Sequence, residues 1–412
     1  MSKIETVGIS RRDRPATSSD SGAETDRKPS FLFVVQWDPN ELGGVNYVVV
    51  NLWEQVNKNA EMRPLLMLPS WEHPRPAPSV VNGRRTIYWR MRMPWYGGFR
   101  ESLIFLVTLP TALMRLRRLL RRERVVAVNV HYPSTSALVF VILRRLGLHR
   151  AKVILTFHST DIWHAGRSRG FTRLIWKILM MGADVCTAVS EGLRQQVHAL
   201  CPQCKSVAVL NALDVPAFLA ERDPAFQLDP RLLGRRFILD VASFNFHKGH
   251  DLLIDAFAAI SREFPDLLLV IVGQSGPYLP EMKRQVERHG LSERVLYFEN
   301  VPHGHLLNFF ESASLFVLPS RREGFGLVLL EAGVFAIPVV AADVGGIPEI
   351  IFHDRTGRLV PPDDLDALTR EILDLLRHPA EAKRLGERLR RSVEDDFSWA
   401  RAYRAYVNLT LP

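Results

Sequence analysis

The feature that most constrains this chain is a recurring unit: an unbroken apolar run of strand length, a loop, then a stretch with helical spacing. The runs at 31–36 (FLFVVQ), 64–68, 125–130, 153–158, 184–189 and 206–210 form one series, and those at 237–242, 267–272, 295–298, 315–319 and 338–342 form a second. Strands that alternate with helices predict parallel sheets, and two series predict two of them. Between the series, residues 214–235 are rich in charge and proline and lack clean periodicity, which places a domain boundary there.

The expected fold class is therefore α/β, with two Rossmann-like doubly wound domains, 31–213 and 214–396, facing a cleft. At roughly 150 residues per domain, 412 residues give two or three. Residues 1–30 are polar, lack the apolar core of a signal peptide and read as a disordered tail. After residue 363 the chain reads as helical, with a break near 397–398. Ser398 is placed to cap a final helix, 397–412, whose Trp399, Tyr403 and Tyr406 form one aromatic face. That face is expected to pack back on the N-terminal domain rather than on a ligand.

The formal charge of +9 is arginine-rich and favours anionic partners. Three cysteines in so long a chain exclude a disulfide framework and suit a reducing compartment, so the expected location is cytoplasmic. The most apolar run, 103–114, is too short to span a bilayer and is interrupted by Pro110, so no transmembrane segment is expected.

Residues 321–331, RREGFGLVLLE, follow a strand run and open an apolar helix. Gly324 and Gly326 let the backbone approach a ligand, and the amides from Leu327 onward make an anion site. Glu323 and Glu331 can touch different parts of an extended ligand, and carboxylates suit sugar and ribose hydroxyls. Lys248-Gly249 follows the strand run at 237–242; Lys248 is either a phosphate partner or a plain surface lysine. Gly43-Gly44 after the first strand is either a ligand loop or a turn. His158 ends the run 153–158 at the carboxyl edge of the sheet, where open α/β folds bind ligands. Asp161 either orients that loop or holds an acceptor hydroxyl, and His131, at the end of its own strand, is an acceptor-side candidate. No G-x-G-x-x-G follows the first strand, which counts against a dinucleotide oxidoreductase.

Together these segments resemble the retaining GT-B-fold glycosyltransferases of family 4 (glycosyl transferases group 1), over residues 31 to about 408. The E-x7-E signature matches Glu323 and Glu331, and the family's K-G loop matches Lys248-Gly249. PVVAADVGGIPEII at 338–351, VSEGL at 189–193 and VLNALDV at 209–215 also resemble family segments. The resemblance implies a UDP- or GDP-sugar donor and neither cofactor nor metal. Lys248 and the amides near Leu327 would neutralise the donor phosphates, Glu323 would contact the donor sugar, and Glu331 would bind the ribose. His158 would sit beside the transferred sugar, with Gly43 and Gly44 approaching donor and acceptor and the backbone of Val301 approaching the base. Ser243, Gly324, Phe325 and Gly326 complete the implied donor contacts. The implied reaction is attack of an acceptor hydroxyl on the anomeric carbon with retention, the departing phosphate assisting deprotonation.

Three departures stand out. Ser243 replaces an arginine that many members carry, leaving His247, Arg321 or Arg322 to supply the charge; Ala212 and Asn300 stand where glycines are usual. Residues 115–124, RLRRLLRRER, place six arginines among leucines and suit either an anionic membrane surface or a solvated helix face. No motif accompanies the charge to suggest nucleic acid. Cys201 and Cys204 with His198 lack a fourth zinc ligand and read as free thiols in a loop. The function expected is glycosyl transfer in cell-surface polysaccharide or glycolipid synthesis, peripheral to the membrane. A sugar-nucleotide epimerase and a non-catalytic nucleotide-binding subunit remain open at this point.

Overall fold

A computed structural model describes residues 28–37, 43–92 and 99–410. The tail expected at 1–30 thus lies, except for its last three residues, outside the described residues. Ser30 already belongs to the first strand.

Eight strands form the first sheet: β1 (Ser30–Val34), β2 (Arg63–Pro69), β3 (Ala77–Val81), β4 (Arg84–Trp89), β5 (Val125–His131), β6 (Lys152–Phe157), β7 (Val185–Ala188) and β8 (Ser206–Ala208). Their order is β3-β4-β2-β1-β5-β6-β7-β8, parallel throughout except for the antiparallel β3–β4 pair. Six strands form the second: β9 (Phe237–Val241), β10 (Leu268–Gly273), β11 (Val295–Glu299), β12 (Leu315–Leu318), β13 (Val339–Ala342) and β14 (Arg358–Val360). Their order is β11-β10-β9-β12-β13-β14, all parallel. The central strands are buried at nearly every position, as a sheet covered on both faces requires.

Each sheet starts in its middle and winds outward both ways, so each has a switch point, between β1 and β5 and between β9 and β12. Ligands of open α/β sheets bind at the carboxyl ends of such strands. From those ends come Gly43-Gly44 after β1, His131 closing β5, Ser243 and Lys248 after β9, and Glu323 after β12.

The β3–β4 hairpin and β14 carry no apolar run. In the hairpin, Pro78, Ser79 and Val80 are exposed. Its signal is the turn, since Asn82 (φ 49°) and Gly83 (φ 74°) form the paired left-handed corner that Asn-Gly favours between two strands. The helical tail divides into Leu365–Arg377, Pro379–Asp396 and Trp399–Thr410, with an extra break at His378 where Pro379 opens the next helix. Trp399, Tyr403 and Tyr406 are buried against Phe31, Val48 and Leu52, and the last helix packs on Gly44–Asn59 of the first sheet's layer.

The two halves meet through specific polar contacts. Ser190 caps the Glu191–Leu200 helix and donates its hydroxyl to the Gly324 carbonyl at 2.7 Å. The Glu349 carboxylate accepts from the Glu191 and Gly192 amides at 2.9 and 3.0 Å, closing the same helix end from the other half. The segments VSEGL and VGGIPE are therefore the two sides of one latch.

Candidate functional site

A cavity of about 400 Å³ opens between the sheets, large enough for a small ligand. Gly43, Gly44, Ser243, Asn300, Val301, Leu327 and Glu331 line it, together with Tyr47, Gln274 and His303, which sequence reasoning did not single out. The Gly44 backbone faces the first residue of the Leu327–Val334 helix across the cavity.

Glu331 is buried, and its Oε1 lies 3.4 Å from His303 Nε2, while His303 Nδ1 lies 2.6 Å from Glu221 Oε2. Burial disfavours the charged ring, but the hydrogen bonds to Glu221 and Glu331 prevail and raise His303 to about 10. An imidazolium therefore clamps the Glu331 carboxylate at the cavity wall. Burial, reinforced by the Glu331 charge, raises the Tyr47 phenol and keeps it neutral. Only the arrangement in space gives His303 its meaning, because Glu221 and Glu331 are far from it in sequence.

Lys248 and Glu323 sit on the loops leading away from this cavity rather than in its wall. Lys248 closes a short 3-10 turn after Ser243, and its Nζ donates to Glu323 Oε2 at 2.7 Å. The pair is mostly sheltered, at 17% and 15% side-chain exposure, and the other Glu323 oxygen accepts from the Gly324 amide. Gly326 (φ 92°) turns the chain into the Leu327–Val334 helix without a side-chain cap; the Leu329 amide is taken by the Gly326 carbonyl at 2.8 Å, which leaves the amides of Leu327 and Val328 to meet an anion. Gly324 has a steric reason, since a β-carbon there would collide with the His158 carbonyl. Phe325 points its ring into the core against Phe397, so only its backbone can take part in binding.

Beneath Ser243 lies a buried pair. His250 places Nδ1 2.7 Å from Asp240 Oδ2 and Nε2 3.0 Å from the Ser243 carbonyl. Burial works against its charge, but Asp240 more than offsets this and raises it, and the ring, held at both nitrogens, props the loop that carries Ser243 and Lys248. The arginines do not replace the missing charge. Arg321 is held by Asp251 at 2.7 and 2.8 Å and by Asp363 at 2.6 Å, while Arg322 is exposed and lies over Trp163. His247 is lowered by burial and by Lys248, which favours its neutral form.

His158 lies at the meeting of the two halves, with its Nε2 3.0 Å from His131 Nδ1. Burial lowers His158 to about 3, and burial together with His158 lowers His131 as well, so both rings are neutral. His131 is fully buried, and its ring supports that of His158. Asp161 is likewise spent on the fold, since its carboxylate accepts from the His158, Ser159 and Ile162 amides at 2.8 to 3.2 Å. Of the two roles read for it, loop orientation is the one its contacts fill. Cys186 and Cys201 are buried free thiols and Cys204 is partly exposed.

Comparison with known proteins agrees with this geometry. The family description "Glycosyltransferase Family 4" matches residues 42–215, and "Glycosyl transferases group 1" matches residues 226–392. The chain is 29% identical over 314 residues to a GDP-mannose-dependent alpha-(1-6)-phosphatidylinositol monomannoside mannosyltransferase of Mycolicibacterium smegmatis, covering 74% of this chain and 81% of the relative. It is 28% identical to an N-acetyl-alpha-D-glucosaminyl L-malate synthase of Bacillus anthracis, over 69% of this chain and 74% of that one. Among solved structures, a sucrose-phosphate synthase of Thermosynechococcus elongatus superposes with a TM-score of 0.72 at 25% identity, covering 93% of this chain and 98% of the other. With both halves matched in order and the two sheets closing on one cavity, the chain belongs to the group 1 glycosyltransferases of GT-B fold.

Proposed function

We propose that this glycosyltransferase takes a UDP- or GDP-sugar in the inter-sheet cavity and passes the sugar, with retention, to a hydroxyl of a glycan or lipid-linked acceptor. The observation that carries the reading is the spacing of charge along the cleft: the buried Glu331 at the cavity wall, then the uncapped helix at Leu327, then the Lys248–Glu323 pair. This order suits ribose, diphosphate and sugar in turn. Lys248 would leave Glu323 for the donor phosphate, freeing Glu323 to accept from sugar hydroxyls. The lysine and helix amides, acting in a sheltered site, stabilise the departing diphosphate electrostatically, and no bound cation is assigned to that task. His158, neutral and held by His131, offers a hydrogen bond to the sugar without bringing a charge.

The mycobacterial relative's name gives GDP-mannose as donor and a phosphoinositide glycolipid as acceptor, whereas the Bacillus relative's product is a malate glycoside. Such relatives support the donor class more narrowly than the acceptor class. The test is thermal-shift titration of wild type and Glu331→Ala with UDP-, GDP- and ADP-sugars. Stabilisation by one nucleotide family, lost in the variant, supports the reading. No stabilisation by any of them at millimolar ligand overturns it.

A further inference from the structure

The first half of the molecule carries a face that the transfer chemistry does not use. Between residues 102 and 183 the sequence holds 14 arginines and lysines and only two acidic residues, Glu123 and Asp161, so this stretch carries +12 in a chain of net charge +9. Both acidic residues are buried, Glu123 beside Arg85 and Asp161 under backbone amides. Nothing acidic in this stretch reaches the surface.

On the same stretch the helix Phe99–Arg122 exposes Leu103, Leu106, Val107 and Met114, Val107 at 71%. The helix Gly170–Gly182 exposes Phe171, Leu174, Ile178 and Met181 at the i, i+3, i+7, i+10 spacing of one stripe, with Arg173 and Lys177 exposed beside it. A third helix, Leu138–Arg145, packs against both, so the two rows belong to neighbouring elements, and Leu146 at its end is exposed between them. Soluble surfaces rarely group large apolar side chains in this way. The acidic side chains at the ends of these helices are neutralised, Glu101 by Arg92 at 3.2 Å and Asp184 by Arg144 at 2.8 Å, and apolar rows flanked by a large excess of basic side chains are the pattern of a helix lying in an anionic lipid interface.

We propose that this face docks on an anionic phospholipid bilayer, with both apolar rows entering the interface and the arginines meeting the headgroups. The arginines expected at 115–124 supply only part of it. Arg115 donates to the Pro74 carbonyl and Arg117 to that of Leu148, while Arg118, Arg121 and Arg122 point outward. Arg75, Arg115, Arg118 and Arg122 also line a groove of about 370 Å³ beside the β3–β4 hairpin; Glu123 lines it too but is paired with Arg85 at 2.9 Å, which leaves an excess of positive charge for a lipid phosphate. The helix Phe99–Arg122 connects the parallel strands β4 and β5, and the Gly170–Gly182 helix, preceded by the short helix Thr160–Arg167, connects β6 and β7, so both connections leave the carboxyl edge of the sheet. Their apolar rows therefore reach toward the mouth of the cleft, and a lipid-linked acceptor would meet His158 from the bilayer. The inference rests on the transfer reading only for that acceptor.

The test is flotation of the full chain with phosphatidylcholine vesicles, with and without phosphatidylglycerol, at low and high salt. Wild type is expected to float with the anionic vesicles at low salt and to lose most of that binding at high salt. Leu174→Asp with Ile178→Asp is expected to weaken flotation by at least about tenfold, and Arg118→Glu with Arg121→Glu by about the same factor. Arg384→Glu with Arg388→Glu, on the second half, should leave it unchanged. Absence of wild-type flotation, equal flotation without anionic lipid, or equal loss in the Arg384 control overturns the proposal. A dimer that Leu174→Asp dissociates, with no flotation of wild type, assigns the face to a second copy instead. Donor thermal shift, run on the same variants, keeps the outcomes apart: its loss in wild type would sink the transfer reading and leave the flotation result standing.

Discussion

At the scale of residues, the site is a set of charges held by neighbours rather than by solvent. Lys248 is poised by Glu323 at 2.7 Å, so its loss removes a positive charge from a sheltered place. Lys248→Ala is expected to lower kcat by about 10²–10³-fold while the protein stays folded, because the stabilised charge develops on the leaving phosphate. Steady-state kinetics with the donor identified by thermal shift will show this, and an unchanged kcat would remove Lys248 from the mechanism. His303 gives the pH dependence. Its folded value of about 10 lies above the ordinary imidazole range, so it binds a proton in the folded state that it lacks when unfolded. The stability it adds is therefore fully present below about pH 6.5 and lost as pH rises through about 10. His303→Gln should flatten that slope, read as a smaller fall in denaturation midpoint from pH 6 to pH 10 than in wild type. If the two slopes match, the Glu221–His303–Glu331 clamp is not charged as described.

At the scale of elements, each functional group belongs to a local structure with its own physical reason. The helix Leu327–Val334 was readable because a strand, two glycines and an apolar stretch follow one another in sequence, and the same order identified Lys248 after β9. The latch of Ser190 and Glu349 was not readable because it joins residues brought together only when two separately folded sheets meet, and His303 and the Asp240–His250 prop were not readable because their partners come together only once the second sheet and its helices have folded. The hairpin β3–β4 escaped for the opposite reason: its outer strand β3 is too exposed to leave an apolar run, β4 is short, and Asn82-Gly83 is its clearest mark. Residues at the strand ends could be named from sequence, but their partners could not, as the contact of His131 with the His158 ring and the grip of Asp161 on the His158 and Ser159 amides illustrate. The last helix ties its aromatic face to the first sheet's layer, and Trp399 lies against Tyr47 of the cavity at 6.2 Å between ring centres. Trp399→Ala should cost about 3–5 kcal/mol of unfolding free energy by urea titration and raise the donor KM. A loss below about 1 kcal/mol would mean that the helix is not part of the cooperative core.

At the scale of the whole molecule, activity depends on the two halves closing. Closure is held by few polar contacts, chiefly Ser190 to the Gly324 carbonyl and Glu349 to two helix amides, and these lie beside His158 and Glu323. A donor that bridges Gly44 and the Leu327 helix would add contacts made only in the closed form, so donor and latch should act on the same equilibrium. Glu349→Ala removes a carboxylate from two amides, and hydrogen bonds to charged groups are worth about 1.5–3 kcal/mol each. The variant is therefore expected to open, with a radius of gyration by small-angle scattering above that of wild type, which should lie near about 22 Å for a compact chain of this length. Saturating donor should restore the wild-type radius, while the apparent donor affinity falls by roughly tenfold or more, because part of the binding energy is then used to close the cleft. A variant that keeps both the wild-type radius and affinity would show that the latch does not govern closure, and would move that role to the apolar contacts between the halves.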